Sequence, residues 1–353
     1  MARSISKIHI DPRSNIGYSA YYLYGLYVLF GRENVFFSAQ YFKTLQKEND
    51  SYSYNSYMAM IIEQNGHQSK VIIDFGDDYP IRENAYNWCD LYAKINFDPL
   101  RTPLPFKTKI HSIPPSFGIR IWSNFEIVSH AFSNLFKLKF SPQTSIMNYF
   151  RSYFSQMKQF PLETFSAHDI PDDPKNNEVF FIASLWPHPN CLTGTNVYRK
   201  MFIDTCLQTG VHFSGGFWVT DTEHPQFQEF KQLTFTKRYA LKEYIEKTKQ
   251  SMFVFNTPAV HNCHGWKLGQ FLAMGKAIIS TSFQNALPED LVHGENIHFV
   301  NDASELEAAI SELTHNQEYR RKLQMGAKRY YEKHGEPAAV IKKIFKRLNL
   351  NLN

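Results

Sequence analysis

Residues 252–300 read MFVFNTPAVHNCHGWKLGQFLAMGKAIISTSFQNALPEDLVHGENIHFV, and this stretch decides the fold of the chain. Apolar runs at Met252–Phe255 and Lys276–Ser280 predict two buried strands. Between them, an amphipathic stretch that Gly265 opens predicts a short helix, with a second glycine just past its end. Strand, helix and strand in this order predict a βαβ unit with parallel strands. Its turn places backbone N–H groups and Lys267 at the carboxyl edge of the sheet, where anionic groups bind.

The same alternation of strands and helices runs along the rest of the chain. The first half begins with a strand at Ser6–Ile10 and a helical pattern from Tyr18 to Phe30. A polar stretch with two prolines interrupts the pattern at Ala167–Asn177, and a new buried strand follows at Glu178–Ala183. This arrangement predicts an α/β protein with two Rossmann-like domains joined by a linker. We place the first domain at residues 1–170, the second at 171–335, and a terminal amphipathic helix within 336–353 that packs back on the first domain.

Composition excludes several classes of protein. Of the 353 residues, 43% are hydrophobic and 16% are aromatic, which excludes a disordered or fibrous chain. The four cysteines form no CxxC pair, so we expect a reducing, cytoplasmic environment rather than a disulfide framework. No apolar run follows Met1–Lys7, and the longest run, Tyr21–Phe30, is shorter than the ~20 residues of a spanning helix. We therefore expect neither a signal peptide nor a membrane span.

Basic residues are concentrated near the carboxyl terminus. The net charge is +5, and from Tyr319 onward ten Lys and Arg residues are opposed by two Glu residues. Such a cluster is either a solvated helix face or a surface that attracts an anionic membrane. The functional alternative predicts a cytoplasmic protein that associates peripherally with the inner face of a membrane. The basic cluster is not accompanied by a motif that binds in a groove of DNA or RNA, so we expect no nucleic-acid partner.

A second turn with anion-binding chemistry precedes the helix that starts near Thr195. Thr195 and Asn196 are either caps of this helix or ligand contacts, and Arg199 can reach a phosphate from its first turn. Arg238 follows a strand-like run and is either a further phosphate ligand or part of a solvated basic pair. With the turn at Lys267, these residues predict a diphosphate site. The chain lacks the G-x-x-x-x-G-K-[ST] and G-x-G-x-x-G motifs, which argues against a nucleoside triphosphatase and a dehydrogenase.

A third turn of this kind follows the first predicted strand. Gly17 allows a ligand to approach the backbone closely. Asp11 is either a catalytic base or, like Asn15, a cap of the following helix. The turn is therefore a candidate part of the site, with an ordinary strand-to-helix connection as the alternative.

Beyond these patterns, the sequence resembles the donor-binding segment of GT-B glycosyltransferases, a large class that includes polysaccharide and lipopolysaccharide enzymes. The resemblance lies in Gly265–Ile279, Leu287–Leu291, His293–Ile297 and Ser304–Leu313. It implies a GT-B fold, in which two Rossmann-like domains face each other across a cleft. It also implies transfer of a sugar from a nucleoside diphosphate sugar to an acceptor hydroxyl in surface glycan synthesis. The implied partners are a nucleotide-sugar donor and a glycan or lipid-linked acceptor, and the resemblance implies neither a metal nor another cofactor.

The resemblance also assigns roles to individual residues of the donor segment. Lys267 would stabilise charge on the leaving diphosphate, whereas His264 and Trp266 would either contact the donor or serve packing. Many retaining members carry two glutamates eight residues apart in this segment. Asn262 and Gln270 occupy those positions here. Both amides can hydrogen-bond to a donor, but neither carries charge, so retention of configuration is not implied.

An inverting transferase needs a base in its first domain to deprotonate the acceptor. In addition to Lys267, the predicted catalytic residues are Asp11 and Asp77. Other candidates are Asp74, Asp78 and His111. The sequence predicts no metal site, because His261, Cys263 and His264 lack a second ligand pair and no Asp-x-Asp pair occurs.

Two other functions are compatible with the same architecture. A nucleotide-sugar 2-epimerase eliminates and re-adds the diphosphate, and it would need several first-domain carboxylates. A catalytically degenerate GT-B protein would bind a glycan without transferring a sugar, and the missing glutamates favour this alternative. Fold alone cannot separate these functions, because one scaffold supports many of them.

Overall fold

The computed structural model describes residues 6–47, 56–138, 145–166, 177–219, 222–236 and 238–352. The chain divides into two units. The first comprises Met1–Leu162, Ala286–Pro288 and Lys333–Asn353, and the second comprises Glu163–Asn285 and Glu289–Glu332. The predicted domain boundary at 170 and 171, and the predicted linker apart from its last residue, lie outside the described residues.

The first unit contains a six-stranded mixed sheet. Its strands are β1 (Lys7–Ile10), β2 (Val35–Phe37), β3 (Tyr57–Gln64), β4 (His67–Asp74), β5 (Leu91–Lys94) and β6 (Ile110–Ser112). Their order is β2-β1-β3-β4-β5-β6, in which β3 runs antiparallel to both of its neighbours and the other pairs are parallel. Asn65 and Gly66 join β3 to β4 with φ values of 53° and 78°. Asn-Gly suits such a turn because both positions require positive φ, and β3 and β4 pair antiparallel around it.

The second unit contains two three-stranded parallel sheets. Their strands are β7 (Glu178–Ser184), β8 (His212–Trp218), β9 (Thr234–Phe235), β10 (Phe253–Asn256), β11 (Ala277–Ser280) and β12 (His298–Phe299). One sheet has the order β7-β8-β9 and the other has the order β10-β11-β12. Phe181 of β7 and Phe255 of β10 belong to one apolar core with Phe202. The Phe202 and Phe255 rings stack with centroids 4.5 Å apart, so one core supports both sheets.

The α-helices of the described residues surround these sheets. They are α1 (Ile16–Phe30), α2 (Glu83–Trp88), α3 (Asn124–Lys137), α4 (Ile146–Phe154), α5 (Asn196–Gln208), α6 (Phe227–Phe230), α7 (Leu241–Gln250), α8 (Trp266–Ala273), α9 (Ala303–His315), α10 (Gln317–Tyr330) and α11 (Pro337–Arg347). The α/β class is as predicted, and β10, α8 and β11 form the βαβ unit expected from the opening stretch. None of the helices described has the length and apolar character that crossing a bilayer demands.

The terminal helix α11 packs against α1 within the first unit. A Cβ added to Gly25 of α1 would lie 2.4 Å from the carbonyl oxygen of Pro337, so the two backbones touch where no side chain fits. Further along, the rings of Phe30 and Phe345 stack with centroids 4.7 Å apart. The apolar side of α11 is therefore buried, and its basic residues lie on the opposite side.

Candidate functional site

A cavity of about 380 Å³ lies in the second unit, at the carboxyl ends of its strands. Ser184 of β7, Trp218 of β8 and Asn256 of β10 line it, together with the first turn of α8. Ligands of parallel α/β sheets bind at this edge, because the helices that follow the strands begin there. The volume lies within the range of about 300–1,000 Å³ that is typical of small-molecule sites.

The first turn of α8 presents its backbone to this cavity. Gly265 precedes the helix in an extended conformation, and no described side chain caps the helix start. Gly265, Trp266 and Lys267 line the cavity, and a Cβ added to Gly265 would meet no atom within 4 Å. A helix start without a side-chain cap offers N–H groups to an anion, and the helix dipole favours negative charge there. The turn thus has the geometry of an anion seat.

Lys267 brings the first positive charge to the cavity. Its side chain is half-buried, and its Nζ donates a hydrogen bond to the Ile182 carbonyl oxygen of β7. The same Nζ lies 5.3 Å from the centre of the Phe181 ring. Burial, together with the neighbouring charge of Arg199, lowers the pKa of Lys267 from 10.5 to about 7. An anion bound beside the amine would favour its charged form at neutral pH.

Arg199 brings the second positive charge, and it is only 7% exposed. Its Nε donates to Thr257 Oγ1 at 2.9 Å, and its Nη1 donates to the Ser184 carbonyl oxygen at 3.1 Å. Burial lowers the pKa of Arg199 to about 10. Hydrogen bonds to neutral oxygens orient the guanidinium without cancelling its charge. The positive charge therefore remains available to an anion in the cavity.

Arg238 and several aromatic side chains complete the lining. The Arg238 guanidinium lies 5.9 Å from the centre of the Trp218 ring, a cation–π arrangement. Trp186 and Tyr239 also line the cavity. The described lining residues include three cations and no Asp or Glu. The cavity therefore has a positive potential, and its aromatic rings offer flat apolar surfaces for stacking.

Thr195 and Asn196, at the start of α5, do not belong to the lining of the cavity. Thr195 Oγ1 donates to the Pro258 carbonyl oxygen at 2.7 Å, and Asn196 Nδ2 donates to the Trp186 carbonyl oxygen at 2.9 Å. Neither side chain caps α5, because the chain enters this helix from a π-helical turn at Cys191–Thr195 whose backbone is already helical. Both side chains position the loops around the site, and direct contact with a ligand stays a prediction.

His264, Asn262 and Gln270 are engaged within the second unit. His264 is buried, and its Nε2 lies 3.0 Å from a backbone carbonyl oxygen. Gln270 Oε1 accepts a hydrogen bond from the Tyr244 hydroxyl at 3.0 Å, which links α8 to α7. Asn262 Nδ2 donates to Gln284 Oε1 at 2.6 Å. None of the three belongs to the lining of the cavity, so the predicted donor contacts of His264 and Gln270 stay predictions.

The remaining predicted site residues belong to the first unit. Asp11 is fully buried, and both of its carboxylate oxygens accept hydrogen bonds from the Arg13 side chain at 2.7–2.9 Å. Gly17 lies in the first turn of α1 and donates its N–H to Asn15 Oδ1 at 3.0 Å. Asn15 is therefore the cap of α1, the role that the sequence left open between it and Asp11. Asp77 follows β4 and is half-buried.

Two further candidate bases of the first unit, Asp74 and Asp78, belong to ion pairs. Asp74 and Lys94 form a fully buried ion pair at 3.0 Å. Asp78 accepts from Arg82 at 2.6 Å, an ion pair one helical turn apart in sequence. His111 is half-buried, and burial, followed by nearby positive charges, lowers its pKa. The two aspartates are therefore engaged in ion pairs of the first unit.

Sequence reasoning missed several residues that line the cavity. Trp218, Asn256 and Thr257 stand at or just beyond the last residue of a strand. That position was the available signal, because parallel α/β proteins bind ligands beyond the carboxyl ends of their strands. Applied to every predicted strand end, the rule would have found all three.

No family model matches the chain, and no curated protein matches it. Solved structures that resemble it include a glycosyltransferase from Rickettsia africae, with a TM-score of 0.42 and 11% identity over 73% of this chain and 62% of that one. The C-terminal domain of a group 1 glycosyl transferase from Francisella tularensis has a TM-score of 0.36 and 15% identity over 49% of this chain and 96% of that domain. Anabaena HepE in complex with UDP and glucose has a TM-score of 0.42 and 13% identity over 76% of this chain and 65% of that one. The chain thus spans less than two thirds of the R. africae and Anabaena proteins, and a likeness this weak carries no functional argument.

Proposed function

We propose that this chain is a glycosyltransferase that moves a sugar from a nucleoside diphosphate sugar to an acceptor hydroxyl in surface glycan synthesis, without a metal ion. One observation carries the proposal. Lys267, Arg199 and Arg238 surround one cavity beside an uncapped helix start, and the described lining residues include no carboxylate. A buried cation without a counter-charge is costly, so its presence in a cavity points to an anionic ligand.

The chemistry of the lining fits a nucleoside diphosphate better than a simple phosphate. The α8 start, Lys267 and Arg199 can together bind two phosphate groups. The rings of Trp218 and Tyr239 line the same cavity and offer surfaces on which a base can stack. An anion seat and an aromatic wall within one small-molecule cavity match the two ends of a nucleotide.

In the proposed reaction the bond between the sugar and the diphosphate breaks while the acceptor oxygen bonds to the same sugar carbon. Negative charge then develops on the leaving diphosphate, where Lys267 and Arg199 would stabilise it electrostatically. The proton of the acceptor hydroxyl passes to a base. Asp77 stays the proposed base for this step.

A binding-only role is the second candidate, and one observation favours it. Gln270, which stands where retaining relatives carry a glutamate, is tied to Tyr244 and does not line the cavity. A glycan-binding protein of this kind would show no turnover with any donor and acceptor. A 2-epimerase would convert the nucleotide sugar to its epimer when incubated with donor alone.

Thermal unfolding in the presence of UDP, GDP, ADP and inorganic diphosphate tests the proposal directly. We expect one nucleoside diphosphate to raise the melting temperature more than inorganic diphosphate does, because binding to the native state stabilises it. Arg199→Met should reduce this shift. The matched control is Lys200→Met, since Lys200 lies next to Arg199 but is already paired with Asp204 at 2.5 Å. A protein that no nucleoside diphosphate stabilises, or an Arg199→Met variant with an unchanged shift, would contradict the proposed site.

A further inference from the structure

Helix α3 of the first unit carries a stripe of large apolar side chains on its outer side. Phe125, Val128, Phe132 and Phe136 are all exposed. Phe125 is 82% exposed and Phe136 is 83% exposed, so these rings make almost no contact with the described part of the chain. Their spacing of three and four residues places all four on one side of the helix. The outer side of α3 is thus a continuous apolar stripe.

The inner side of the same helix is less apolar than the outer one. Ile127, Ala131 and Asn134 are its buried residues. The buried Asn134 donates its Nδ2 to the Tyr153 hydroxyl at 2.9 Å. A helix that contacts only water on its outer side normally has the opposite pattern. The phenylalanines therefore serve something other than the core of this unit.

Helix α4 extends the stripe into a patch. Its outer side carries Ile146, Met147, the half-buried Phe150, Phe154 and, just beyond the helix, Met157. The rings of Phe132 and Phe150 lie 5.5 Å apart, and those of Phe150 and Phe154 lie 5.7 Å apart. We call this patch the aromatic face; it consists of Phe125, Val128, Phe132, Phe136, Ile146, Met147, Phe150, Phe154 and Met157. An exposed apolar patch of this extent usually marks an interaction surface.

The charges next to the aromatic face are positive. Lys137, Arg151 and Lys158 are exposed. Within 124–138 and 145–158, the described parts of this region, Glu126 is the one acidic residue, and it is paired with Arg32 at 2.6 Å. Within these two segments the face thus combines apolar side chains with an excess of cations. A surface of this composition is complementary to anionic lipid, into whose headgroups apolar side chains insert while Lys and Arg meet phosphates.

We propose that the aromatic face docks the protein on an anionic lipid bilayer. The inference rests on the first unit alone and is independent of the proposed function. A second copy fits the same face poorly, since pairing two copies would bring their cations together. The basic side of α11 offers charge without insertion, because Ile341, Ile344 and Phe345 of that helix are buried. The bilayer is therefore the occupant that both the apolar and the charged features of α3 and α4 favour.

Flotation of the full chain with lipid vesicles tests this proposal. We expect binding to phosphatidylcholine vesicles that contain phosphatidylglycerol, weaker binding to pure phosphatidylcholine, and a loss of binding as salt rises. The double variant Phe125→Ser/Phe136→Ser should bind at least about tenfold more weakly, because two rings can no longer be buried in lipid. The control is Leu100→Ser/Leu104→Ser, which removes two apolar side chains of the same unit that are 89% and 77% exposed. This control should bind like the unchanged protein.

A second variant tests the charges without changing the rings. Arg151→Glu/Lys158→Glu should weaken binding to the anionic vesicles and leave the near-ultraviolet circular dichroism unchanged, since both side chains are exposed. Equal binding to both kinds of vesicle, no binding to either, or undiminished binding of Phe125→Ser/Phe136→Ser would overturn the proposal. A loss of binding that follows only Lys342→Glu/Lys346→Glu would also overturn it and assign the contact to α11. A dimer that the serine variant abolishes, without vesicle binding, would assign the face to self-association.

Discussion

Replacing Lys267 by Met should stabilise the free protein and weaken its response to a nucleoside diphosphate. The two effects have opposite signs because the charged amine lowers the stability of the free protein, whereas it contributes to binding when an anion is present. In the free protein burial and Arg199 lower the pKa of Lys267 to about 7, whereas the unfolded chain keeps the ordinary value of 10.5. Protonated Lys267 therefore favours the unfolded chain, which binds more protons between these two values. The cost is fully present below about pH 7 and disappears as the pH approaches the unfolded value.

The magnitude follows from the difference between the two pKa values. About 3.5 units at roughly 1.4 kcal/mol each give an upper limit of about 5 kcal/mol for the cost of the charge. Lys267 is only half-buried, so water screens part of this cost. The hydrogen bond from Nζ to the Ile182 carbonyl oxygen, worth about 1 kcal/mol, is also lost in the variant. Methionine fills the remaining space because its side chain is unbranched and apolar. We expect a net gain of about 2 kcal/mol, or roughly 4 °C in melting temperature.

Calorimetry at about pH 7 and about pH 10, with and without the nucleoside diphosphate selected by the thermal screen, measures both effects. Without ligand the variant should melt higher near pH 7, and the two proteins should converge near pH 10. With ligand the variant should lose about 1.5–3 kcal/mol of binding free energy, the usual contribution of one hydrogen bond to a charged group. Lys200→Met should change neither quantity, because Lys200 is paired with Asp204. A variant that is less stable than the unchanged protein without ligand, or equally stabilised by it, would refute this account of Lys267.

Two further outcomes follow from the second unit. Affinity for the nucleoside diphosphate should fall by up to about tenfold per pH unit above about pH 7, because the anion binds the protonated form of Lys267. Titration calorimetry of Lys267→Met should not show this decrease, because the variant lacks the titrating amine. Gly216→Ala should destabilise the protein by several kcal/mol, because Gly216 has φ 131° and an added Cβ would lie 2.3 Å from a backbone oxygen. The control is Gly194→Ala, which should leave stability unchanged because a Cβ at Gly194 would meet no atom within 4 Å. A denaturant titration measures both variants.

The elements that sequence predicts well are those whose signals are local. The Asn65-Gly66 turn lies between two apolar runs, and the strand pair follows from these neighbours in sequence. The βαβ unit is likewise marked by its apolar runs and by Gly265 before α8. The anion seat depends on this unit alone, so its place in the lining of the cavity could be predicted from one stretch of sequence.

The contacts that sequence does not predict join residues far apart in the chain. The Thr195 hydroxyl donates to the Pro258 carbonyl oxygen instead of capping α5, a bond across 63 residues. Gln270 meets Tyr244 because α8 and α7 pack together, which no pattern within α8 reveals. The sequence thus predicts which side chains lie near a turn, but not which of them line the cavity. Their division into lining and support depends on tertiary packing.

Among the described residues that line the cavity, none is an Asp or Glu that could pair with Arg199 or Lys267, and this separates the site from an ordinary buried ion pair. Within the described first unit, Lys94 is fully buried and has the carboxylate of Asp74 at 3.0 Å, so its charge is compensated by the chain itself. The described lining of the cavity offers Arg199 and Lys267 only neutral oxygens and aromatic rings. Compensation within the chain serves the fold, whereas a deficit of negative charge lowers stability until an anion binds. The contrast between Lys94 and Lys267 therefore favours a ligand that carries negative charge. The helix start beside Lys267 favours phosphate as the anionic group of that ligand.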